Sequence, residues 1–238
     1  GPPVTAMLIQ NTNPMMVCPD TRSVREGFLR DDLFVCVHEQ IMTETAAMAD
    51  IVLPATTFLE HEDYYVGSAH GYLMVTRRVI EPYGEARPNH DVICGLAKRL
   101  GAHHPGFDMT AWELIDDSLR RSGLPGADEA ADMRWIDCAK PVEEMNFRNG
   151  FGWPDGRFRF RPDWSAVGAN PEGLPEWPDH HDIIDKATRD KPFRLVTAPS
   201  RGFLNSSFSE TPGSRKREGR PTVKLHPDAA AELGIANG

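Results

Sequence analysis

No stretch of about 18 consecutive apolar residues occurs in this chain, so no membrane-spanning helix is expected. The opening residues, GPPVTAMLIQ, carry neither a charged n-region nor a long apolar h-region. No signal peptide is therefore expected, and the chain reads as cytoplasmic, with no membrane partner. Basic charge is in short supply: 26 Lys and Arg stand against 35 Asp and Glu, a net charge of −9. A general nucleic-acid binder would carry a basic face, so that class is excluded. Cysteine is sparse, 4 in 238 residues, at positions 18, 36, 94 and 138 with no CxxC pair. That spacing suits neither a zinc ribbon nor an iron–sulfur run. Cys36 and Cys94 lie in apolar stretches and read as buried, reduced thiols. There is also no GxGxxG, GxxxxGK[ST], GxSxG or HExxH, which removes the common phosphate-binding, hydrolase and zinc-protease signatures.

What is present is the composition of a globular chain, 40% hydrophobic and 26% charged, enough to bury a core. Glycine and proline, 20 of each, cluster in the second half, which reads as loop-rich. Residues 4–101 alternate between strand and helix signals. Met7–Gln10 is a short apolar run ending in a polar turn, Asn11-Thr12-Asn13-Pro14. Asp20 stands as a helix N-cap ahead of Val24 and Phe28. Leu33–Val37 is apolar throughout, as in a parallel strand buried on both faces. Thr43 can cap a short helix over Thr45–Ala47, and Ile51–Leu53 forms a third strand, stopped by Pro54. Asn89 opens a helix with an apolar stripe at Val92, Ile93, Leu96, Ala97 and Leu100, closed by Gly101. Trp112, Ile115 and Leu119 mark another. This order predicts an α/β fold with an open, mainly parallel sheet flanked by helices. Further on, Arg157–Arg161 alternates like a strand with a solvated cationic face. Phe193–Thr197 and Thr222–Leu225 read as strands, 213–220 (GSRKREGR) as a basic, mobile loop, and His226-Pro227-Asp228 as a helix start.

The candidates for chemistry are strand-end polar clusters. Glu60-His61-Glu62-Asp63 crowds carboxylates around one imidazole but reads as a polar loop rather than a metal site. His103-His104 and His180-His181 are adjacent pairs and read as surface histidines. Asn11-Thr12-Asn13 follows the first strand, His38-Glu39-Gln40 with Thr43 the second, and Glu60-His61 trails the third. Ligands of open parallel sheets bind beyond the carboxyl ends of the strands. A carboxylate there suits a ribose diol or the N1/N2 edge of guanine; a hydroxyl and free amides at a helix start suit phosphate. Polar residues are common at any strand end, and on these residues alone a nucleotide site and a plain polar rim both remain open.

The stretch VCVHEQIMTETAAMADIVLPATTFLEHED, residues 35–63, resembles the molybdopterin oxidoreductases of the dimethyl sulfoxide reductase superfamily. LIQNTNPMMVCPD (8–20) resembles that family's strand-then-NP element, and GYLMVTRRVIEPYGEARPNHDVICGLAKRLG (71–101) its passage from a hairpin into a helix. FRLVTAPSRGFLNSSF (193–208) resembles the opening of the family's molybdopterin-dinucleotide-binding barrel, and PTVKLHPDAAAELGI (221–235) its next strand and helix. The resemblance implies an α/β cofactor-binding domain at 1–125, a loop-rich connector at 126–190 and the incomplete start of a β-barrel at 191–238.

It also implies a bis(molybdopterin guanine dinucleotide) cofactor with molybdenum or tungsten, contacted by Asn13, by Glu39 where Asp is commoner, and by Thr43. His61 stands where many relatives have Lys, and Asn89 starts the next helix. In the last segment the pterin-facing turn falls on Thr197, Ser200, Arg201, Asn205, Ser206 and Ser207, which offer donors and a cation to pterin and pyrophosphate oxygens. Nothing here resembles the family's metal-binding side chain or its N-terminal iron–sulfur site. The expectation is thus a C-terminal-half fragment with no catalytic residue and no metal ligand of its own, inactive and cofactor-free alone. Its partners would be the missing N-terminal part of the same chain and a small-molecule substrate, and the fragment could self-associate. The rival expectation is a stand-alone nucleotide-binding or structural module without a redox role.

Overall fold

In the computed structural model the described residues are 2–161, 163–166, 168, 174, 176–177 and 186–237. Their elements run β1 (Ala6–Gln10), α1 (Pro14–Val17), α2 (Thr21–Phe28), β2 (Phe34–Glu39), a 3₁₀ turn (Ala46–Met48), β3 (Ile51–Pro54), β4 (Asp63–Val66) and β5 (Tyr72–Thr76). Then follow α3 (Asn89–Leu100), a second 3₁₀ turn (Pro105–Phe107), α4 (Ala111–Arg121), α5 (Ala127–Asp132), β6 (Ile136–Asp137), α6 (Val142–Met145), α7 (Pro212–Glu218) and α8 (Pro227–Glu232). The chain divides into two compact units, Gly1–Leu53 with Val196–Gly238, and Pro54–Leu195. Among the described residues no helix is long and apolar enough to cross a membrane.

The first unit holds a sheet in the order β1-β2-β3, with β1 and β2 parallel and paired from Ala6↔Phe34 to Gln10↔His38. The α/β expectation is met here: β1, β2, β3 and the capped helix α2 stand where the apolar runs placed them. Asp20 caps α2 by accepting from the Ser23 backbone N–H at 3.1 Å and the Ser23 hydroxyl at 2.7 Å. These bonds favour the ionised form and hold the Asp20 carboxyl below its usual range. Ile9, Leu33, Val35, Val37 and Ala46 form the core, with Met7, Phe28 and Ala49 packed against it. Asp50 clamps the start of β2: its Oδ2 accepts from Val35 N–H at 2.7 Å and its N–H donates to Val35 O at 2.9 Å.

β2 differs from expectation in one respect. Val35 and Val37 are buried, but Phe34 is 48% exposed and Cys36 only partly covered. Successive strand residues point to opposite faces, and the core cluster lies on the Val35–Val37 face alone.

The second unit is built on an antiparallel sheet ordered β4-β5-β6, with Tyr65↔Met74 and Leu73↔Ile136 among its pairs. Leu73, Val75 and Ile136 pack with Ile115 and Leu119 of α4 and Ala127 and Ala130 of α5. A capping box starts α4: Thr110 Oγ1 accepts from Glu113 N–H at 3.2 Å, and the Glu113 carboxylate accepts from Thr110 N–H at 2.7 Å. Asp116 reaches from α4 to accept the Ala127 N–H at 2.8 Å, tying α5 to it. Helix α3 ends as expected at Gly101, whose φ of 68° is the left-handed conformation glycine takes without penalty. Its apolar stripe, however, buries only Ala97 and leaves Ile93, Leu96 and Leu100 open.

Four sequence expectations fail. Arg157–Arg161 forms no strand. Phe158 instead packs tilted against the Phe151 ring and edge-on to Phe160, and Arg159 pairs with Asp155 at 2.8 Å. Phe193–Val196 and Thr222–Leu225 form no strands either. A strand exists through its ladder, and none of these residues pairs with a second strand. The barrel expected at 191–238 is thus not built among the described residues. The basic segment 213–220 is not a loop but α7, opened by Pro212 and ended by Gly219, with Arg, Lys and Glu between, all good helix formers. The histidine pair His180-His181 lies outside the described residues.

Candidate functional site

The parallel register sets the geometry of the site. Gln10 lies opposite His38, so β1 and β2 end level and the loops that follow them emerge side by side. Gln10 Nε2 donates to His38 Nδ1 at 2.9 Å, and the His38 ring is buried beneath this end of the sheet. Asn11 turns the chain in the left-handed region at φ 57°, a conformation that asparagine tolerates.

The two loops are then stitched together. Thr45, 0% exposed, donates its hydroxyl to Asn13 Oδ1 at 2.6 Å and accepts from Met15 N–H at 3.1 Å. Asn13, 4% exposed, donates Nδ2 to Glu44 Oε2 at 3.3 Å. Its carbonyl accepts from Met16 and Val17 at 2.9 and 3.1 Å, which opens α1. Thr43 is buried as well: its hydroxyl accepts from Ala46 N–H at 3.1 Å, the capping expected of it. Glu39 is partly exposed at the end of β2 and folds one oxygen back onto its neighbour's N–H, Gln40, at 2.8 Å. In the first unit Thr45 thus ties the Asn13–Met15 turn to the Thr43–Ala46 turn, and Glu39 stands at the end of the neighbouring strand β2.

Thr197, Ser200, Arg201, Asn205, Ser206 and Ser207 belong to the same unit. Thr197 and Ser200 lie in exposed chain without regular structure, and Arg201 is exposed beside them. Asn205 and Ser206 form the tip of a tight turn in which Leu204 and Ser207 exchange backbone bonds at 3.1 and 2.8 Å, with Asn205 at φ 51°. The turn thus offers two polar side chains and Ser207 at a fixed point of an otherwise open segment.

His61 and Asn89 lie in the second unit. Asn89 opens α3, and His61 Nδ1 bonds the buried Thr56 hydroxyl at 2.8 Å. Glu60, 6% exposed, is fully engaged: Oε2 accepts from Thr57 N–H at 2.6 Å and its hydroxyl at 2.8 Å, and Oε1 accepts from Tyr83 N–H at 2.6 Å. These bonds, the Thr57 amide foremost, hold its carboxyl below the usual range. Glu60 is thus a fastener between the 57–60 and 79–83 loops rather than a ligand group.

Beside it lies a cleft of 380 Å³ whose walls include His61, Arg78, His90, Cys94 and Asp108. Cys94 Sγ sits 3.5 Å from His90 Nε2, which also bonds Met109 O at 2.8 Å. Burial first, then Asp91 and Asp108, push the Cys94 thiol up, so this pair holds a thiol and not a thiolate nucleophile. A larger groove of 560 Å³ on the outer face of the β4–β5 sheet is lined by Tyr65, Tyr72, Met74 and Trp135 and is mostly apolar. Among the described residues no group of three or more His, Cys, Asp or Glu converges as a metal would require. The feature the sequence reading missed is Thr45. Its only signal is a second Thr two residues after Thr43, ahead of two small alanines.

Comparison with known proteins gives a consistent set. The molybdopterin oxidoreductase family model matches residues 3–99. A probable oxidoreductase, YoaE of Bacillus subtilis, is 33% identical over 245 residues, covering 100% of this chain and 34% of that protein. Trimethylamine-N-oxide reductase of Haemophilus influenzae is 27% identical over 266 residues, covering 100% and 32% respectively. Among solved structures, acetylene hydratase from Pelobacter acetylenicus shares the fold with a TM-score of 0.75 at 24% identity, over 99% of this chain and 33% of that one. The chain spans about a third of the length of these relatives.

Proposed function

The chain belongs to the molybdopterin oxidoreductase family, within the dimethyl sulfoxide reductase superfamily, and from that premise we propose that it is the nucleotide-holding part of a longer molybdenum or tungsten oxidoreductase. The observation that carries this reading is the level end of the parallel pair β1–β2, where two polar loops are locked side by side. Open α/β sheets bind their ligands at that edge. The residues suit a molybdopterin guanine dinucleotide. The Glu39 carboxylate can accept from the N1–H and N2–H edge of guanine or from a ribose diol. Arg201, with the hydroxyls and amides of Thr197, Ser200, Asn205, Ser206 and Ser207, can pair with pyrophosphate and pterin oxygens.

When bound, the cofactor supplies two-electron redox chemistry, commonly oxygen-atom transfer, to a small substrate; the protein binds and orients it. In this reading 1–125 is the cofactor-binding domain, 126–190 a connector, and 191–238 the segment that carries the pterin-facing turn. The metal-binding side chain and an iron–sulfur cluster belong to polypeptide beyond these residues. The protein works in the cytoplasm, and the 238-residue chain alone is inactive.

The test is Glu39→Ala in the full-length oxidoreductase. Loss of one charge-assisted bond costs about 1.5–3 kcal/mol of cofactor affinity. Guanine content per chain after extensive dialysis is expected to fall; unchanged content would remove Glu39 from the site.

A further inference from the structure

Asn13 and Thr43 stand among the residues the family resemblance assigns to direct cofactor contact, yet their side chains are turned inward and already bonded. Both Asn13 and Thr43 are buried. The Asn13 carbonyl oxygen is taken by Thr45 and its amide reaches Glu44. The Thr43 hydroxyl is taken by the Ala46 amide. These bonds leave a ligand only the second Nδ2 N–H of Asn13 and the Thr43 hydroxyl proton, both on buried side chains, so the two residues are held first by their own loops. Resting on the reading that this rim holds the nucleotide, we propose that Thr45 is a positioning residue: its hydroxyl clasps the Asn13–Met15 turn to the Thr43–Ala46 turn, so that Asn13 shapes the rim from beneath while Glu39 meets the ligand.

The chemistry of one hydroxyl makes the clasp possible. It has one proton to give and lone pairs to accept with. Thr45 gives the proton to Asn13 Oδ1 at 2.6 Å and accepts the Met15 N–H at 3.1 Å. The partners lie 32 and 30 residues away in sequence, so both bonds are tertiary. They fix the turn at Pro14, where the Asn13 carbonyl in turn holds the Met16 and Val17 amides. One side chain thus sets the spacing between the loops that follow β1 and β2. It adds to the Gln10–His38 pair and the Asn13–Glu44 bond in relating the Asn13 turn to the loop that follows Glu39.

The test uses the 238-residue chain and the full-length protein in parallel. Thr45→Val keeps the volume and removes the hydroxyl; Thr45→Ser keeps the hydroxyl. In the 238-residue chain, Thr45→Val is expected to speed amide exchange at Met15, Met16 and Val17 by about tenfold, as a local opening, with Val35 and Val37 unchanged. Thr45→Ser should restore protection. Should Thr45→Val fail to fold, Asn13→Ala removes the Oδ1 half of the clasp while Thr45 still accepts from Met15 N–H, and should give a weaker form of the same exchange pattern.

In the full-length protein, Thr45→Val should lower guanine content and Thr45→Ser recover it. Thr45→Val and Asn13→Ala together should lose less than their separate losses multiplied, because both break the Thr45–Asn13 bond. Unchanged exchange at Met15 overturns the clasp. Altered exchange with full guanine content overturns the positioning role, and losses that multiply in the double variant return Asn13 to direct contact. Full guanine content in both Thr45→Val and Glu39→Ala would instead overturn the reading of the rim as a nucleotide site, leaving the exchange result to stand alone.

Discussion

Glu60 shows what a buried carboxylate does when both of its oxygens are bonded inside the chain. Three donors from Thr57 and Tyr83 hold it ionised, so its folded pKa lies below its unfolded value. A depressed carboxyl stabilises the fold above the unfolded pKa and loses that contribution as pH falls through the folded one. The relevant window therefore opens below about pH 4.5, the ordinary glutamate range. Glu60→Gln replaces one acceptor oxygen with an N–H₂ that must face an N–H or hydroxyl. The variant is expected to melt at lower temperature than the parent at pH 7, with the gap narrowing as pH falls below about 4.5. A gap that stays constant on acidification would show that the charge on Glu60 does not matter. Glu60 was legible in the sequence only as a member of an acidic cluster. Its role was not, because the Tyr83 amide that completes it lies 23 residues away.

At the scale of elements, legibility followed locality. The N-cap at Asp20, the Thr43 cap and the Gly101 stop are all decided by neighbours within a few residues, and each stands where the sequence placed it. Phe193–Val196 and Thr222–Leu225 carry a strand's alternation, but alternation supplies side chains for a face and not the second backbone that makes a ladder. Helix α5 lies inside the stretch 126–190 that reads as a loop-rich connector. The acidic residues Asp128 and Glu129 are the overlooked signal, since negative charge favours a helix N-terminus. Helix α4 repays direct testing, because its residues Ile115 and Leu119 close the core against β5 and α5. Leu119→Ala is expected to cost about 2–5 kcal/mol, the range for truncating a buried leucine. The loss should appear in chemical denaturation as a lower midpoint with an unchanged slope. A loss below about 1 kcal/mol would mean that the site collapses freely around the missing atoms.

At the scale of the whole molecule, apolar surface stays open in each unit. Leu195 and Val196 are 77% and 80% exposed, and the outer face of β4–β5 presents Tyr72, Met74 and, beside them, Trp135. Scattered apolar side chains are ordinary on a protein surface, but contiguous ones mark places meant to be covered. The chain spans about a third of its relatives, which supplies a reason for such faces without specifying what covers each. The purified 238-residue chain is expected to associate with itself in a concentration-dependent way, visible as a rising weight-average mass in sedimentation equilibrium. A single monomer mass across a hundredfold range of concentration would show these faces to be innocuous. The sequence carried the family and the parallel sheet, because those rest on contiguous motifs. It did not carry the division into units, because Val196–Gly238 joins the first unit across more than a hundred intervening residues.

The clamp between Asp50 and Val35 has a bearing on time as well as structure. Pairing β1 with β2 requires a loop from Gln10 to Phe34 to close, whereas Asp50 meets Val35 across only 15 residues. Shorter closures lose less chain entropy and come sooner. The β2–Asp50 contact is therefore placed early on the route to the native state, with β1 added to an edge that already exists. Asp50→Ala should slow refolding several-fold while leaving the unfolding rate nearly unchanged, as for an interaction already formed in the transition state. The opposite pattern, faster unfolding with refolding untouched, would assign the clamp to the last step of assembly.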